Sequence, residues 1–256
     1  MLAAGRVRLN GKVVVAPKTP VLPDSKIDVI DQGPAAVNRK EAQQRTLPFK
    51  IIYEDDDVLV VDKPAGMITS SGPHDRRPTL QGYVYAYIKA TSPRSRIGLI
   101  HRLDRDAMGL LIFSKNSAAY ESLKTQFFKH TVERRYLAVV RPVPKPLKGT
   151  IDYPLEELKD GTVYVCREGK GQPAVTHYEV VKELADKTAL VQLTLHTGRK
   201  HQIRVHLAKR GWPIIGDSVY GGLADDRGMR LCAVLLGVDH PMTEERMTWE
   251  TIAPFV

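Results

Sequence analysis

The chain has 256 residues, of which 43% are hydrophobic and 26% are charged, as in an ordinary globular protein with a full core. Its net charge of +9 and pI of about 9.5 favour a polyanionic partner, nucleic acid before membrane, because no long apolar segment is evident. The two cysteines, Cys166 and Cys232, are isolated in the sequence, which argues against a disulfide framework or a cysteine-rich zinc site. We therefore expect a cytoplasmic protein with no membrane partner.

The first 31 residues predict a small β-rich unit. Polar and apolar residues alternate over 6–9, Asn10-Gly11 is a strong hairpin signal, and a return strand follows at 12–15. A closing strand is predicted at 26–30. The segment 32–48 is polar, contains prolines and is interpreted as a linker.

The main domain is predicted to span 49–256. Two short strands, at 51–53 and 58–61, flank an acidic turn. Apolar residues at helical spacing predict a helix over 79–91, and a second helix is expected to begin at Asn116 or Ser117, either of which can cap it.

Strands dominate the remainder of the domain. A strand with a basic beginning is predicted at 134–140. Three more are predicted to follow one another in an antiparallel sheet, because the turns between them are too short for crossover helices: 162–166, 174–181 and 189–195.

Charged side chains are concentrated between two apolar runs of the central segment, 99–115. Asp104 lies between Arg102 and Arg105, and Gly109 permits a tight bend before the second run. A carboxylate flanked by guanidinium groups stays ionised and oriented, as a nucleophile must. The alternative is a charged turn in which these side chains only pair with one another.

A basic helix is predicted over 199–210, just before a glycine. His201 and Arg204 lie one turn apart and share a face, whereas Ile203 and Leu207 share another that can pack inward. One face can then lie on the sheet while the other offers cations to a ligand. The alternative is a solvated basic face.

Several segments resemble a known family. Residues 101–111, H-R-L-D-R-D-A-M-G-L-L, are similar to the H-R-L-D-x-x-T-S-G-L-L signature of the RluA family of RNA pseudouridine synthases. Other segments are similar to further motifs of that family: Y-E-D-D-D-V-L-V-V-D-K-P-A-G at 53–66, R-R-Y-L-A at 134–138, T-G-R-K-H-Q-I-R-V-H-L at 197–207 and P-I-I-G-D-S-V-Y-G-G at 213–222. The sequence departs from the pattern at Ala107-Met108, in place of Thr-Ser, and at Cys232, where the family often has His.

The resemblance implies the α/β (α+β) pseudouridine synthase fold, a largely antiparallel, bent mixed sheet with helices flanking a central basic cleft. Residues 1–31 resemble the second half of an S4-type RNA-binding domain without its two leading helices. The implied reaction is isomerisation of uridine to pseudouridine within RNA, with ribosomal RNA favoured over transfer RNA. A monomer is expected. No metal or organic cofactor is expected either, and His201 and His206 lack the spacing of two ligands on one helical face.

The resemblance also implies roles for individual residues. Asp104 would be the catalytic carboxylate and Arg204 the cation that keeps it charged, with a phosphate contact as the alternative for Arg204. Tyr136 would stack on the target base and assist proton removal at C5, and its alternative is a plain core aromatic. Arg102 would fill the space left by the flipped uridine or hold that uridine out of the stack. The candidate RNA-binding residues are Arg102, Arg105, Arg199, Lys200 and His201.

Two other interpretations stay open at this point. A non-catalytic RNA-binding protein of the same fold is compatible with the departure at Ala107-Met108. A hydrolase could use Asp104 and Asp106 as a carboxylate pair on a sugar. Formation of pseudouridine would distinguish the enzyme from the binding protein, and release of free uracil or free sugar would favour the hydrolase.

Overall fold

The computed structural model describes residues 7–9, 12–14, 25–29, 47–72, 75–167 and 169–256, and the chain divides into two compact units between Leu47 and Pro48. The first unit contains an antiparallel sheet in the order β2-β1-β3, formed by β1 (Val7–Leu9), β2 (Lys12–Val14) and β3 (Ile27–Val29). Leu9 pairs with Lys12, so two residues connect β1 and β2, as the hairpin prediction requires. Of the predicted linker, 32–48, all but the last two residues lie outside the described residues.

The second unit is built on a ten-stranded sheet. Its strands are β4 (Lys50–Glu54), β5 (Val58–Lys63), β6 (Gly98–Leu99), β7 (Met108–Ser114), β8 (Glu133–Val140), β9 (Lys148–Asp152), β12 (Val175–Glu183), β13 (Ala189–Leu195), β14 (Leu231–Asp239) and β15 (Arg246–Glu250). The order is β4-β5-β7-β14-β8-β13-β12-β9, with β6 paired to β7 and β15 to β14. Within this sheet only β7 and β14 pair in parallel, which confirms the largely antiparallel mixed sheet.

Three helices accompany this sheet among the described residues: α1 (Leu80–Thr91), α2 (Ser117–Phe128) and α3 (Gln202–Lys209). The Thr79 hydroxyl caps α1 by accepting from the backbone N–H of Gly82 at 3.1 Å. The Asn116 side chain caps α2 by accepting from the N–H of Ala119 at 2.9 Å. Both predicted helices are confirmed, and no described helix is long and apolar enough to cross a membrane.

The predicted helix over 199–210 begins later than expected. His201 has a φ of 53°, in the left-handed region, so α3 starts only at Gln202. Apolar periodicity cannot reveal such a backbone reversal because it reports only which faces are apolar. Gly211, with a φ of 79°, follows the end of the helix, as a glycine stop does.

Two further expectations are corrected. The strand near 162–166, observed as β11 (Val163–Val165), pairs with β10 (Leu155–Glu157) in a separate sheet instead of with β12. Gly109 lies inside β7, not in a bend before it, and has a φ of 108°. A Cβ at Gly109 would come within 2.3 Å of the Ala233 carbonyl oxygen, so this glycine allows the close approach of β7 to β14.

The central segment is held by a fully buried part of the sheet. Nearly every residue of β5 and β7 is buried, because both faces of these strands are covered. The loop 100–107 connects β6 to β7 and therefore begins and ends on a rigid support. This loop carries the charged residues that the sequence singled out.

Candidate active site

A cavity of about 750 Å³ opens beside the loop 100–107. Its walls come from this loop, the end of α2, the strand β8 and the beginning of α3. Among the residues that the structure describes, Asp104 is the single carboxylate in the lining, against six basic side chains: Arg102, Lys124, Arg134, Arg199, Lys200 and Arg204. The basic side chains favour binding of a polyanion, and they would bring it next to the carboxylate of Asp104.

Asp104 and Arg204 meet in this cavity although 100 positions separate them in sequence. Arg204 Nη1 donates to Asp104 Oδ2 at 3.2 Å. The Asp104 side chain remains 22% exposed, so the pairing leaves it open to the cavity. The guanidinium therefore orients a carboxylate that a ligand can still reach.

Arg204 is itself fixed by Asp217, a residue to which sequence reasoning gave no role. Arg204 Nε and Nη2 donate to the two carboxylate oxygens of Asp217, each at 2.8 Å. Asp217 is buried, and it also accepts from the N–H groups of Val219 and Tyr220. Burial acts to lower the pKa of Arg204, but the hydrogen bonds and charges of Asp217 and Asp104 outweigh it and raise that pKa. Arg204 thus stays charged in a buried position, and the alternative of a solvated basic face is wrong for it.

His201 lies on the other side of the Asp104 carboxylate. Its Nε2 is 3.9 Å from Asp104 Oδ1, and its Nδ1 is 2.7 Å from the Tyr220 hydroxyl. That hydroxyl accepts from the backbone N–H of Val163, so its own hydrogen is available to Nδ1. Burial lowers the pKa of His201, although the charge of Asp104 opposes this shift. A neutral ring with its N–H at Nε2 then faces Asp104.

Tyr136 shares the cavity with Asp104. Arg134 and Tyr136 are two residues apart on β8, and the alternation of a strand therefore directs both to one face. Both are buried and both line the cavity. Burial raises the pKa of Tyr136, with the charge of Arg134 opposing and that of Asp104 adding to the shift. Tyr136 is therefore a cavity residue and not only a core aromatic.

Lys63 supports the loop from below and was missed by sequence reasoning. Its fully buried Nζ donates to three backbone carbonyls, those of Pro64, Met67 and Arg105, at 2.8–3.0 Å. Burial lowers the pKa of Lys63 to about 8, and the charges of Asp104 and Asp106 counteract the shift. The bond to Arg105 fixes the backbone immediately after Asp104. The signal in the sequence was its place in the segment 53–66, which resembles a family motif, but that resemblance gave Lys63 no role.

The predicted RNA-binding residues divide into two groups. Arg102, Arg199, Lys200 and His201 line the cavity. Lys200 Nζ also contacts Glu157 Oε1 at 2.6 Å, and Arg199 Nε donates to the Pro173 carbonyl.

Arg105 does not line the cavity. It makes a two-pronged ion pair with its neighbour Asp106, at 2.8 and 2.9 Å. Asp106 is likewise missing from the cavity lining. Asp106 is thus paired with Arg105 outside the cavity lining, and the structure lends no support to the carboxylate pair that the hydrolase interpretation requires.

The departures from the family pattern meet at one place. Met108 and Cys232 are direct partners in the parallel pairing of β7 and β14, and Ala107 lies buried just before β7. Burial raises the pKa of the Cys232 thiol to about 12. Cys232 is thus an inert packing residue, whereas its neighbour Leu231 and Ala107 line the cavity.

Comparisons with known proteins identify the family. The family model described as RNA pseudouridylate synthase matches residues 57–209. A protein named "Uncharacterized RNA pseudouridine synthase YlyB", from Bacillus subtilis strain 168, is 38% identical over 257 residues, covering 98% of this chain and 82% of its own. "Ribosomal large subunit pseudouridine synthase D" of Pasteurella multocida is 31% identical over 263 residues, covering 97% of this chain and 80% of its own.

A solved structure supports the same fold. The human protein titled "RNA Pseudouridylate Synthase Domain Containing 4" superposes with a TM-score of 0.68 at 24% identity, covering 84% of this chain and 91% of that one. At this identity the likeness supports the architecture alone. The family match and the curated relatives establish that the chain belongs to the RNA pseudouridylate synthase family and is an RNA pseudouridine synthase, an isomerase.

Proposed function

We propose that this enzyme converts uridine to pseudouridine in ribosomal RNA of the large subunit, with Asp104 as the catalytic carboxylate. The observation that carries the proposal is the position of Asp104 as the one carboxylate in a cavity lined by six basic side chains. Arg204 orients it, and Asp217 holds Arg204 in turn. These contacts within the protein hold the carboxylate in a fixed position, as electrostatic catalysis requires.

The reaction breaks the N1–C1′ bond of the uridine and forms a C5–C1′ bond, while the C5 hydrogen leaves as a proton and N1 gains one. The target base must leave the stack to reach Asp104 in the cavity. The carboxylate can attack C1′, or it can manage the proton and the positive charge that develops on the sugar. Both routes need an oriented carboxylate, and the contact with Arg204 supplies that orientation.

Tyr136 is suited to hold the base. Its ring lines the cavity from β8, and an aromatic ring can stack on a uracil that has left its strand. The raised pKa keeps its hydroxyl protonated at neutral pH, which favours stacking and hydrogen-bond donation over action as a general base. Arg102 is exposed on the loop 100–107, which also carries Asp104, and it can fill the space that the base leaves in the RNA.

The choice of RNA rests on the relatives. Curated proteins about 30% identical to this chain are named for the ribosomal large subunit, and transfer RNA is the alternative substrate. We assign the first unit to RNA binding as a partial S4-like element, supported by the order and pairing of its three strands. A cytoplasmic location fits two free thiols, Cys166 and Cys232. The monomeric state stays a prediction.

The test is direct. Purified protein is incubated separately with an in vitro transcript of large-subunit ribosomal RNA and with unmodified transfer RNA transcripts, and pseudouridine is measured by nucleoside mass spectrometry. We expect pseudouridine in the ribosomal transcript and none after the substitution Asp104→Asn. Conversion of transfer RNA alone would reassign the substrate, and full conversion by the Asp104→Asn variant would remove Asp104 from the mechanism.

A further inference from the structure

A second basic group lines the cavity without a negative partner. Arg134 is only 8% exposed, and none of the residues that the structure describes places a carboxylate within 4 Å of its guanidinium. Its Nη2 reaches the Thr197 carbonyl at a long 3.4 Å, and its Nε has no hydrogen-bond partner. A buried cation without a counter-ion is costly, so this one is poised for an anion that the protein itself does not provide.

Packing on both sides fixes the position of the Arg134 side chain. Its guanidinium lies 5.4 Å from the centre of the Phe127 ring, which stacks on His101 at 4.7 Å. Burial, with help from the charge of Arg134, lowers the pKa of His101 to about 3, so this ring is neutral. His101 Nε2 accepts from the backbone N–H of Ile112 at 3.2 Å, which anchors the stack to β7. On the other side, a Cβ at Gly198 would lie 2.7 Å from Arg134 Nη1.

Exposed rings stand close to Arg134. His130 and His196 are stacked with ring centres 4.8 Å apart and an angle of 28°. His130 lines the cavity together with Phe128, a residue that is 83% exposed. Burial and the nearby charges of Arg134 and Arg199 lower the pKa of His130, which keeps its ring neutral at pH 7. Exposed aromatic rings are surfaces on which a base can stack.

We propose that Arg134, Arg199 and the His130–His196 pair form a subsite for a nucleotide next to the target uridine. The base of that nucleotide stacks on the histidine pair, and its phosphate binds Arg134 and Arg199. Stacking combined with a phosphate contact is the usual way to hold single-stranded RNA. The inference deepens the proposed function, since it rests on RNA as the substrate of this cavity.

Binding of a nonamer of uridines with a 5′ fluorescein, followed by fluorescence anisotropy at several KCl concentrations, tests the subsite in the full chain. We expect His196→Ala to weaken binding about tenfold without changing the salt dependence, because it removes a stacking surface. His196→Phe should restore the affinity. His177→Ala is the matched control, since His177 is an exposed histidine on β12 that does not line the cavity.

Arg134 is tested through the salt dependence. Loss of one phosphate contact lowers the slope of log K against log [salt] by about 0.7 for single-stranded RNA. We expect Arg134→Gln to show this decrease and Arg134→Lys to retain the wild-type slope. A wild-type slope for Arg134→Gln, wild-type affinity for His196→Ala, or failure of His196→Phe to restore binding would each overturn the subsite.

The outcome separates this inference from the proposed function, because binding is measured without turnover. If the histidine and arginine variants behave as expected while the wild type converts no uridine in either RNA, the subsite stands and the proposed function fails. If the wild type converts uridine and these variants bind like the wild type, the proposed function stands and the subsite fails.

Discussion

The cavity contains two arginines in opposite electrostatic situations. Arg204 makes ion pairs with both Asp217 and Asp104, whereas Arg134, in the described part of the chain, has no carboxylate partner at all. Both side chains are buried and both line the same cavity. The difference indicates a division of labour, because the paired arginine orients a protein carboxylate while the unpaired one is available to a phosphate.

The largest effect on turnover is expected from a substitution of Asp104, the carboxylate that Arg204 orients. Asp104→Asn keeps the size of the side chain and removes the charge, while Arg204 retains Asp217. We expect turnover to fall by about three orders of magnitude or more, as for loss of a catalytic nucleophile. RNA affinity should change little, because Arg134 and the other basic side chains remain. Single-turnover formation of pseudouridine and fluorescence anisotropy measure the two properties, and a variant with normal turnover would contradict the assignment.

Removing the paired arginine itself should damage the fold. Arg204→Ala leaves the buried Asp217 without its partner, so we expect the free energy of unfolding to fall by about 3–5 kcal/mol. Urea denaturation measures this loss. The double variant Arg204→Ala Asp217→Asn should recover part of it, because the second change removes the stranded charge. A double variant that is less stable than Arg204→Ala would show that the ion pair is not the cause.

Sequence patterns predicted the helices and strands around the site better than the contacts between side chains within it. Periodicity located α1, α2 and most strands, since local alternation reports which face is buried. The contact between Asp104 and Arg204 spans 100 positions and came only from the family resemblance. Asp217 and Lys63 lie in segments that resemble family motifs, but their roles depend on carbonyls and guanidinium groups that only the tertiary fold brings together. The left-handed backbone of His201 was missed because apolar periodicity reports only which faces are buried.

A substitution of Lys63 tests whether the contact between Asp104 and Arg204 depends on the position of the loop 100–107. Lys63→Met leaves three carbonyls, including that of Arg105, without their donor, and the loop that carries Asp104 should shift. We expect kcat to fall about 10- to 100-fold, as a displacement near 1 Å can cause. KM should change little, because Lys63 does not line the cavity. Lys50→Met is the matched control on an exposed lysine of β4, and an equal loss of kcat there would contradict the role of Lys63.

The unpaired Arg134 lies over Phe127, which stacks on the neutral ring of His101, and this buried histidine predicts a pH effect on stability. His101 has a pKa of about 3 when folded and near 6.5 when unfolded, so between these values the unfolded chain binds the extra proton. The free energy of unfolding should therefore fall as the pH decreases below about 6.5, by up to roughly 1.4 kcal/mol per pH unit for this group. His101→Gln can still accept from Ile112 and should flatten the dependence. Urea denaturation between pH 7 and 4.5 measures it, with His177→Gln as the exposed control. An unchanged slope for His101→Gln would contradict the prediction.

The smallest effect is expected from a third arginine, Arg105, whose ion pair with Asp106 is 59% and 35% exposed. An exposed pair contributes at most about 1 kcal/mol, so Arg105→Ala should leave the free energy of unfolding nearly unchanged. Because Arg105 lies outside the cavity lining, turnover should also be preserved once RNA is saturating. If Arg105 contacts RNA outside the cavity, the variant should lower the salt slope of binding by about 0.7 while kcat stays constant. A large loss of kcat at saturating RNA would instead show that Arg105 acts on Asp104, as Arg204 does. Only residues that act on the reacting carboxylate should change the turnover of the enzyme–RNA complex.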